Sequence, residues 1–320
     1  MIIRPLASHE ITIFAQVCGS NTHAQDVEHY LQQMLQQGSI RLEWCFVAEE
    51  AEQIIGTLAY WALPTTGKPT DVVLLTVPWE RADFLSVGTQ LLKDTLQKTR
   101  QTYPIEKIGH VLDQPPMKPQ WQFFSEQRLA LLQHVGFQIV RNALRFEWKA
   151  ERQPQGIGAT TVPQRLVFRS LYELDADTFI AAIEQVSAQT FDQWTQQDQE
   201  LYGPKQQARD LFEDLQRMEY DPAWWQLAYT PQNELVGLVM PTKNPSMAVI
   251  GYIGIVPGFR GKGYVNDLLA SGTANLYHAG FTTIRADTDV SNFPMANAFR
   301  RAGYHQFATR YDLQLPLKSL

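Results

Sequence analysis

The sequence predicts an α/β (α+β) protein built of two tandem domains. Three observations predict it. The chain has 320 residues, about twice the length of a common single domain. A segment rich in Gly, Pro and small polar residues, without hydrophobic periodicity, divides it near its middle. The order of elements before that segment recurs after it, as an internal duplication would leave it. The expected boundaries are a first domain over 1–150, a linker over 151–164 and a second domain over 165–320.

Each half opens on a short strand containing Arg, Ile2 to Leu6 and Leu166 to Leu171. Helical stretches follow, at Ile11 to Val17 and Val27 to Leu35, and again at Phe179 to Val186 and Ala208 to Met218, where apolar residues recur at helical spacing. A strand pair around a polar turn comes next: Trp44 to Ala48 with Ile54 to Trp61, and Trp225 to Tyr229 with Leu235 to Met240. A third apolar strand ends at a proline in both halves, Val72 to Pro78 and Val249 to Pro257. A helix, a short strand and a helix ending in Gly-aromatic follow, at Gly136-Phe137 and Gly303-Tyr304. An alternating strand closes each half, Ala143 to Trp148 and Thr309 to Leu315.

The apolar fraction of 44% and charged fraction of 19% are those of an ordinary globular protein. A net charge of −6 with no basic stripe argues against a nucleic-acid partner, which needs clustered Lys and Arg. The seven histidines show no HxH or HExxH spacing, so no metal site is expected. Cys18 and Cys45 are expected as buried reduced thiols. No leader-like apolar region opens the sequence and no apolar run reaches the ~18 residues of a membrane span. The expectation is a cytoplasmic protein with no membrane partner, either a monomer or a homodimer.

The chemistry-bearing run is Met247 to Leu269, a strand, a tight turn and a helix. Pro257-Gly258 ends the strand, and an apolar stripe at Val265, Leu268, Leu269, Gly272 and Leu276 marks a helix from about Gly263 to Tyr277. Between them lies Arg260-Gly261-Lys262-Gly263, at a helix N-terminus, where free N–H groups and the positive dipole end favour an anion. Two readings of the turn are open: a pyrophosphate cradle, or a strand-to-helix turn whose glycines serve geometry and whose cations face water. A P-loop is excluded because Gly263, not Ser or Thr, follows Lys262. A dinucleotide fingerprint is excluded because Asn266 stands at its third glycine.

Val256-Pro257-Gly258-Phe259-Arg260-Gly261-Lys262-Gly263-Tyr264 resembles the acyl-CoA pyrophosphate loop of the GNAT N-acetyltransferases, Arg-Gly-x-Gly-x-Gly/Ala. Asn292 to Tyr304 resembles the family's second signature, an Asn opening a helix that ends in Gly-aromatic. The two motifs span Met247 to Tyr304, and the similar element order extends over Leu166 to Leu315. The resemblance implies a mixed, mostly antiparallel sheet flanked by helices in each half. It implies acetyl-CoA as co-substrate, with a primary amine of a small molecule attacking it directly in a ternary complex. A catalytically weak acyl-CoA-binding or sensor protein is the alternative. The resemblance further implies that main-chain groups of Ile253, Ile255 and Val256 meet the pantetheine. Gly258 to Tyr264 would hold the pyrophosphate, and Asn292 and Phe299 would lie along the pantetheine arm. Two residues depart from the family pattern: Val265 replaces the final small residue of the loop, and Phe299 stands where many members carry a proton-donating Tyr.

The first half has Trp79, Glu80 and Asp83 at the position of the loop, with no Arg-Gly-x-Gly, and so resembles a degenerate GNAT domain. The tandem layout is similar to that of mycothiol synthase-like enzymes. Acyl transfer to an amine also needs a proton acceptor. The strand Met247 to Val256 has no Asp or Glu, which leaves Tyr252, and strand alternation puts Arg285, Asp287 and Asp289 on one face. Tyr252, Asp287 and Asp289 are the catalytic candidates. Their bland alternatives are a packed aromatic, an Arg285–Asp287 pair and a helix cap at Asp289 or Ser291. Trp194, Trp224 and Trp225 are expected first as core.

Overall fold

A computed structural model describes residues 1–152 and 165–317; most of the expected linker lies outside the described residues. The chain forms two compact units, Met1–Asn142 with Thr309–Leu320, and Ala143–Ala308. These do not coincide with the halves of the sequence, because each half gives its closing strand to the other unit.

The first unit begins with β1 (Ile2–Pro5) and α1 (Ile11–Gln37). α1 breaks at Ser20, whose φ of 54 and ψ of 173 are not helical, which is why its sequence shows two periodic stretches. β2 (Cys45–Glu50) and β3 (Gln53–Trp61) form a hairpin whose two turn residues, Ala51 and Glu52, both have positive φ, as a twist-matched two-residue turn requires. β4 (Asp71–Thr76), α2 (Phe84–Thr102), β5 (Lys107–Gln114) and α3 (Ser125–Val135) follow. β6 (Gln138–Lys149) then carries the chain into the second unit.

The second unit repeats the plan: β7 (Val167–Ser170), α4 (Ala176–Ser187), α5 (Gln193–Tyr202), α6 (Pro204–Gln216), β8 (Gln226–Tyr229), β9 (Leu235–Lys243), β10 (Ala248–Ile255), α7 (Tyr264–His278), β11 (Thr283–Asp289) and α8 (Phe293–Arg301). The last strand, β12 (His305–Pro316), runs into the first unit.

In the first unit neighbouring strands run β1-β2-β3-β4-β5-β12, and in the second β7-β8-β9-β10-β11-β6. Every one of these pairs is antiparallel except β4–β5 and β10–β11, so each sheet is mixed and mostly antiparallel. β12 pairs with β5 from Thr309↔Gln114 to Pro316↔Lys107, and β6 pairs with β11 from Ala143↔Asp289 to Lys149↔Thr283. α3 and α8 end alike: Gly136 and Gly303 take positive φ, and Phe137 and Tyr304 donate their N–H back to Leu132 and Phe299. This is the Schellman ending that favours glycine followed by an apolar anchor.

Helices cover both faces of each sheet. In the first unit Phe14, Leu31 and Met34 of α1 pack on one face, and Leu91, Leu92, Leu131 and Leu132 of α2 and α3 on the other, joined by Leu313 and Leu315 of β12. In the second unit Phe179, Ile183 and Phe212 of α4 and α6 cover one face. Leu268, Leu269, Leu276 and Phe299 of α7 and α8 cover the other, packed with Phe146 and Trp148 of β6. Cys18 and Cys45 are buried free thiols. Among the described residues no helix is long and apolar enough to cross a membrane, and no His/Cys/Asp/Glu group could hold a metal ion.

The exchanged strands carry a consequence for dissection of the chain. A fragment cut at the linker, residues 165–320, lacks β6, and with it Phe146 and Trp148, fully buried side chains whose loss costs about 3–5 kcal/mol each. The fragment also leaves the β11 edge unpaired. Expressed separately, 1–150 and 165–320 are expected to be insoluble or unfolded, and to form one soluble complex when co-expressed. A monomeric 165–320 fragment with a cooperative unfolding transition would contradict this.

Candidate functional site

The site begins with a divergence of two strands. β10 and β11 pair in parallel only at Ala248↔Ile284 and Val249↔Arg285, although β10 continues to Ile255 and β11 to Asp289. β9 stays paired with β10 as far as Gly237↔Ile255, with a register shift between Ile250 and Tyr252. The bulge adds one residue to β10 and bends it away from its parallel neighbour. Val256 N–H donates to the Val236 carbonyl at 2.9 Å. Main-chain groups alternate along a strand, so Tyr252 and Gly254 also face β9, while Ile253 and Ile255 turn theirs to the opening. The Val256 carbonyl accepts from Phe259 N–H at 2.9 Å. Both main-chain groups of Val256 therefore have partners within the protein, and so does the Ile255 carbonyl, which accepts from Arg260 Nε at 3.0 Å.

The opening leads to the glycine turn. A short 3₁₀ turn over Pro257–Phe259 follows β10, and α7 starts at Tyr264 with Gly263 as its N-cap. Gly261 and Gly263 have φ of +76° and +81°, a conformation L side chains rarely adopt. A Cβ on Gly258 or Gly261 would meet nothing within 4 Å, so this side of the turn is open. Among the described residues no acceptor takes the N–H groups of Gly261, Lys262, Gly263 and Tyr264. Four unaccepted donors at the positive end of a fifteen-residue helix make an anion cradle.

The side chains of the turn depart from the expectation. Arg260 turns away from the cradle. Its Nε donates to the Ile255 carbonyl at 3.0 Å, Nη1 to Gln189 at 2.9 Å, and Nη2 to Val186 at 2.9 Å and Ala188 at 2.7 Å, all main-chain oxygens. Lys262 Nζ lies 4.9 Å from the centre of the Phe259 ring, which in turn packs edge-on to Tyr264. Arg165 lies over the Tyr264 ring at 5.1 Å and pairs with the buried Asp267 at 2.6 Å. Val265 packs against the core.

The proton-handling candidates scatter. Asp287 faces Arg145 of β6 at 3.3 Å, and Arg285 pairs with Glu147 at 3.1 Å. Asp289 is buried, and its Oδ2 accepts the Gln193 N–H at 2.7 Å, so a carboxylate sits at the start of α5 rather than capping α8. Asn292 does cap α8, accepting from Met295 N–H at 3.3 Å. Phe299 is buried at 1% exposure between Phe146 and Tyr304, in the core rather than on an open wall. Tyr252 packs on the α4–α6 side. Burial, with the field of Asp192, raises its hydroxyl well above the usual phenol value, against a smaller opposing effect of Arg260. Trp225 is core, with its indole N–H on the Pro241 carbonyl at 2.9 Å, and Trp224 is partly buried, but Trp194 is 39% exposed. Sequence reasoning missed Arg145 and Glu147. Their alternation in Arg145-Phe146-Glu147-Trp148 was visible, but assigning the strand to β11 of the other half was not.

The first unit has the same divergence, filled from within. β4 and β5 pair only at Asp71↔Gly109. His110 Nδ1 contacts the Val72 carbonyl at 2.8 Å, and burial drives this imidazole down to about 4, so it is neutral at neutral pH. Arg128 of α3, itself buried, donates from Nη1 to the Leu75 carbonyl and from Nε to the Phe123 carbonyl at 2.6 Å. Its guanidinium also lies over the Trp79 ring, 4.6 Å from the centre. At the matching loop, Arg81 is spent on Asp83 at 2.6 Å and Glu50 at 2.7 Å.

Comparison with known proteins bears on this geometry. Residues 165–305 match the family model described as Acetyltransferase (GNAT) domain. No curated protein matches the chain in sequence. Solved structures share its fold along almost its whole length. A GCN5-related N-acetyltransferase from Sphaerobacter thermophilus is 17% identical with a TM-score of 0.62, over 98% of this chain and 95% of that one. A tandem GNAT protein from the clavulanic acid biosynthesis pathway is 15% identical with a TM-score of 0.52, over 98% of both chains. The glucosamine N-acetyltransferase region of a fungal multi-domain GH3 β-N-acetylglucosaminidase is 14% identical with a TM-score of 0.57, over 98% of this chain and 38% of that one.

Proposed function

The second half of this chain carries a GNAT domain over residues 165–305, within a tandem GNAT fold, and from that premise we propose that the protein is an N-acetyltransferase that transfers an acetyl group from acetyl-CoA to a primary amine of a small molecule. One observation carries the reading: the divergence of β10 from β11 opens onto the start of α7, where the N–H groups of Gly261 to Tyr264 lack acceptors among the described residues. A linear ligand with an amide-bearing arm and an anionic end fits such a path. Ile253 offers its main-chain groups and Ile255 its N–H to the arm, and the glycine turn offers N–H groups to the pyrophosphate. When bound, acetyl-CoA supplies the acetyl thioester. The first unit, with its divergence filled by His110 and Arg128 and its loop cation spent, serves as a degenerate domain without a cofactor of its own.

The expected binding test is thermal. Saturating acetyl-CoA raises the melting temperature of the wild type by linkage, and calorimetry gives one site per chain. Gly263→Glu puts a carboxylate among the N–H donors and abolishes both signals while the fold persists. An unchanged shift in that variant would move the cofactor elsewhere, and two equivalent sites would overturn the account of the first unit.

A second reading, an acyl-CoA-binding or sensor protein with weak catalysis, is favoured by the commitments of Asp287 to Arg145 and of Asp289 to α5, and by the buried Phe299. Tyr252 separates the two. In the transferase reading Tyr252, packed on the α4–α6 side of β10, is the candidate proton-handling group not committed to an ion pair. In an assay of thiol release across a panel of amines, Tyr252→Phe is expected to cut turnover at least tenfold with acetyl-CoA affinity kept. Asp289→Asn is expected to loosen α5. Full turnover across pH in Tyr252→Phe, Asp287→Asn and Asp289→Asn alike would assign the proton to water. Silence of the wild type across the panel, with acetyl-CoA still bound, would favour the sensor reading.

A further inference from the structure

Arg260 spends its guanidinium on four main-chain carbonyls, and three of them belong to the end of α4 and the residues just past it. Val186, Ala188 and Gln189 lie where a helix leaves its last carbonyls without intrahelical donors and where the dipole is negative. The fourth, Ile255, is the last residue of β10. One side chain of the glycine turn thus caps a helix remote in sequence and fastens it to the strand that leads into the turn. Burial of the guanidinium lowers its pKa somewhat, as expected for a cation used as an internal donor rather than a solvent-facing one. The contact between α4 and β10 is close at this point: a Cβ on Gly254 would stand 2.8 Å from Val186 Cγ2.

Beyond α4 the chain is tied down at its other end as well. Asp192 caps α5 through Thr195 N–H at 2.8 Å, and the Gln193 N–H reaches Asp289 at the end of β11. The connection from Ala188 to Gln193 is therefore strung between the glycine turn, through Arg260, and the far lip of the β10–β11 opening, through Asp289. It presents Phe191, 55% exposed, and Trp194 begins the next turn.

We infer that Arg260 is a positioning residue, not a phosphate ligand: it couples the state of the glycine turn to the α4–α5 connection, so that filling the cradle sets the placement of Phe191 and Trp194 at the acceptor side of the opening. This rests on the proposed acetyl-CoA site. Main-chain N–H groups hold the anion, and Arg260 reports its presence to the wall where the amine enters. Lysine cannot replace it, because a single ammonium with three donors cannot bridge carbonyls on two elements in the planar geometry of a guanidinium.

The test uses the full chain labelled with 5-fluorotryptophan, the Trp194 fluorine resonance being assigned through Trp194→Phe, together with acetyl-CoA titration calorimetry. In the wild type acetyl-CoA moves the Trp194 resonance. Arg260→Gln and Arg260→Lys are expected to bind acetyl-CoA with a Kd within about threefold of the wild type while the ligand-induced movement of Trp194 is lost in both. A tenfold or greater loss of affinity in Arg260→Gln that Arg260→Lys restores would make Arg260 a phosphate ligand and overturn the inference. So would a Trp194 response that persists in both variants. A wild type that fails to bind acetyl-CoA would refute the proposed function instead. Even then, the clamp is read in the unliganded protein, where Arg260→Gln must alter the Trp194 line; an unchanged line would refute it.

Discussion

Two parallel pairs, Ala248↔Ile284 and Val249↔Arg285, join β10 to β11, and everything proposed for this chain depends on the pairing stopping there. Buried main-chain groups in a strand are costly to leave without partners. A strand pair that separates in the middle of a domain therefore needs something to fill the gap. In the second unit the opening runs to a turn whose own N–H groups point outward at a helix start. Strand geometry and helix geometry supply donors along one continuous path, and the side chains nearby mainly hold that path in shape.

The duplicated unit is the internal control. β4 and β5 separate as β10 and β11 do, yet His110 and Arg128 satisfy the carbonyls of Val72 and Leu75 from within. The same fold carries a strand divergence in both copies, stopped with its own side chains in the first, so the fold alone does not assign the function. Charge follows the same division. Arg81 in the first unit is paired with two carboxylates, whereas Lys262 in the second lies over an aromatic ring.

The sequence made the element order legible because each element had its own local signal: the break at Ser20 left two periodic stretches, and Gly136-Phe137 and Gly303-Tyr304 announced two identical helix endings. The glycine turn was legible for the same reason, since positive φ at Gly261 and Gly263 is a local demand. What could not be read was long-range. The closing strands alternate as any edge strand would, and nothing local says that Ala143 to Lys149 pairs with β11 and Thr309 to Pro316 with β5. Arg260 misled for a similar reason. A cation in a glycine turn looks like a phosphate ligand until the end of α4, more than seventy residues earlier, supplies its carbonyls. Asp287 and Asp289 shared a face as alternation required, but their partners came from β6 and α5.

The central claim is that Ile253 and Ile255 turn N–H groups without protein acceptors into an opening that acetyl-CoA fills, the Ile255 carbonyl being held by Arg260. Residue-resolved amide hydrogen exchange by NMR, with and without acetyl-CoA, tests it most directly. Without ligand, the N–H groups of Ile253 and Ile255 should exchange fast for the middle of a buried sheet, while Val256, bonded to the Val236 carbonyl, exchanges slowly. With acetyl-CoA, Ile253 and Ile255 should become strongly protected, Val256 should change little, and β4 of the first unit should not respond. Slow exchange at Ile253 and Ile255 in the free protein, or no added protection on saturation, would contradict the account.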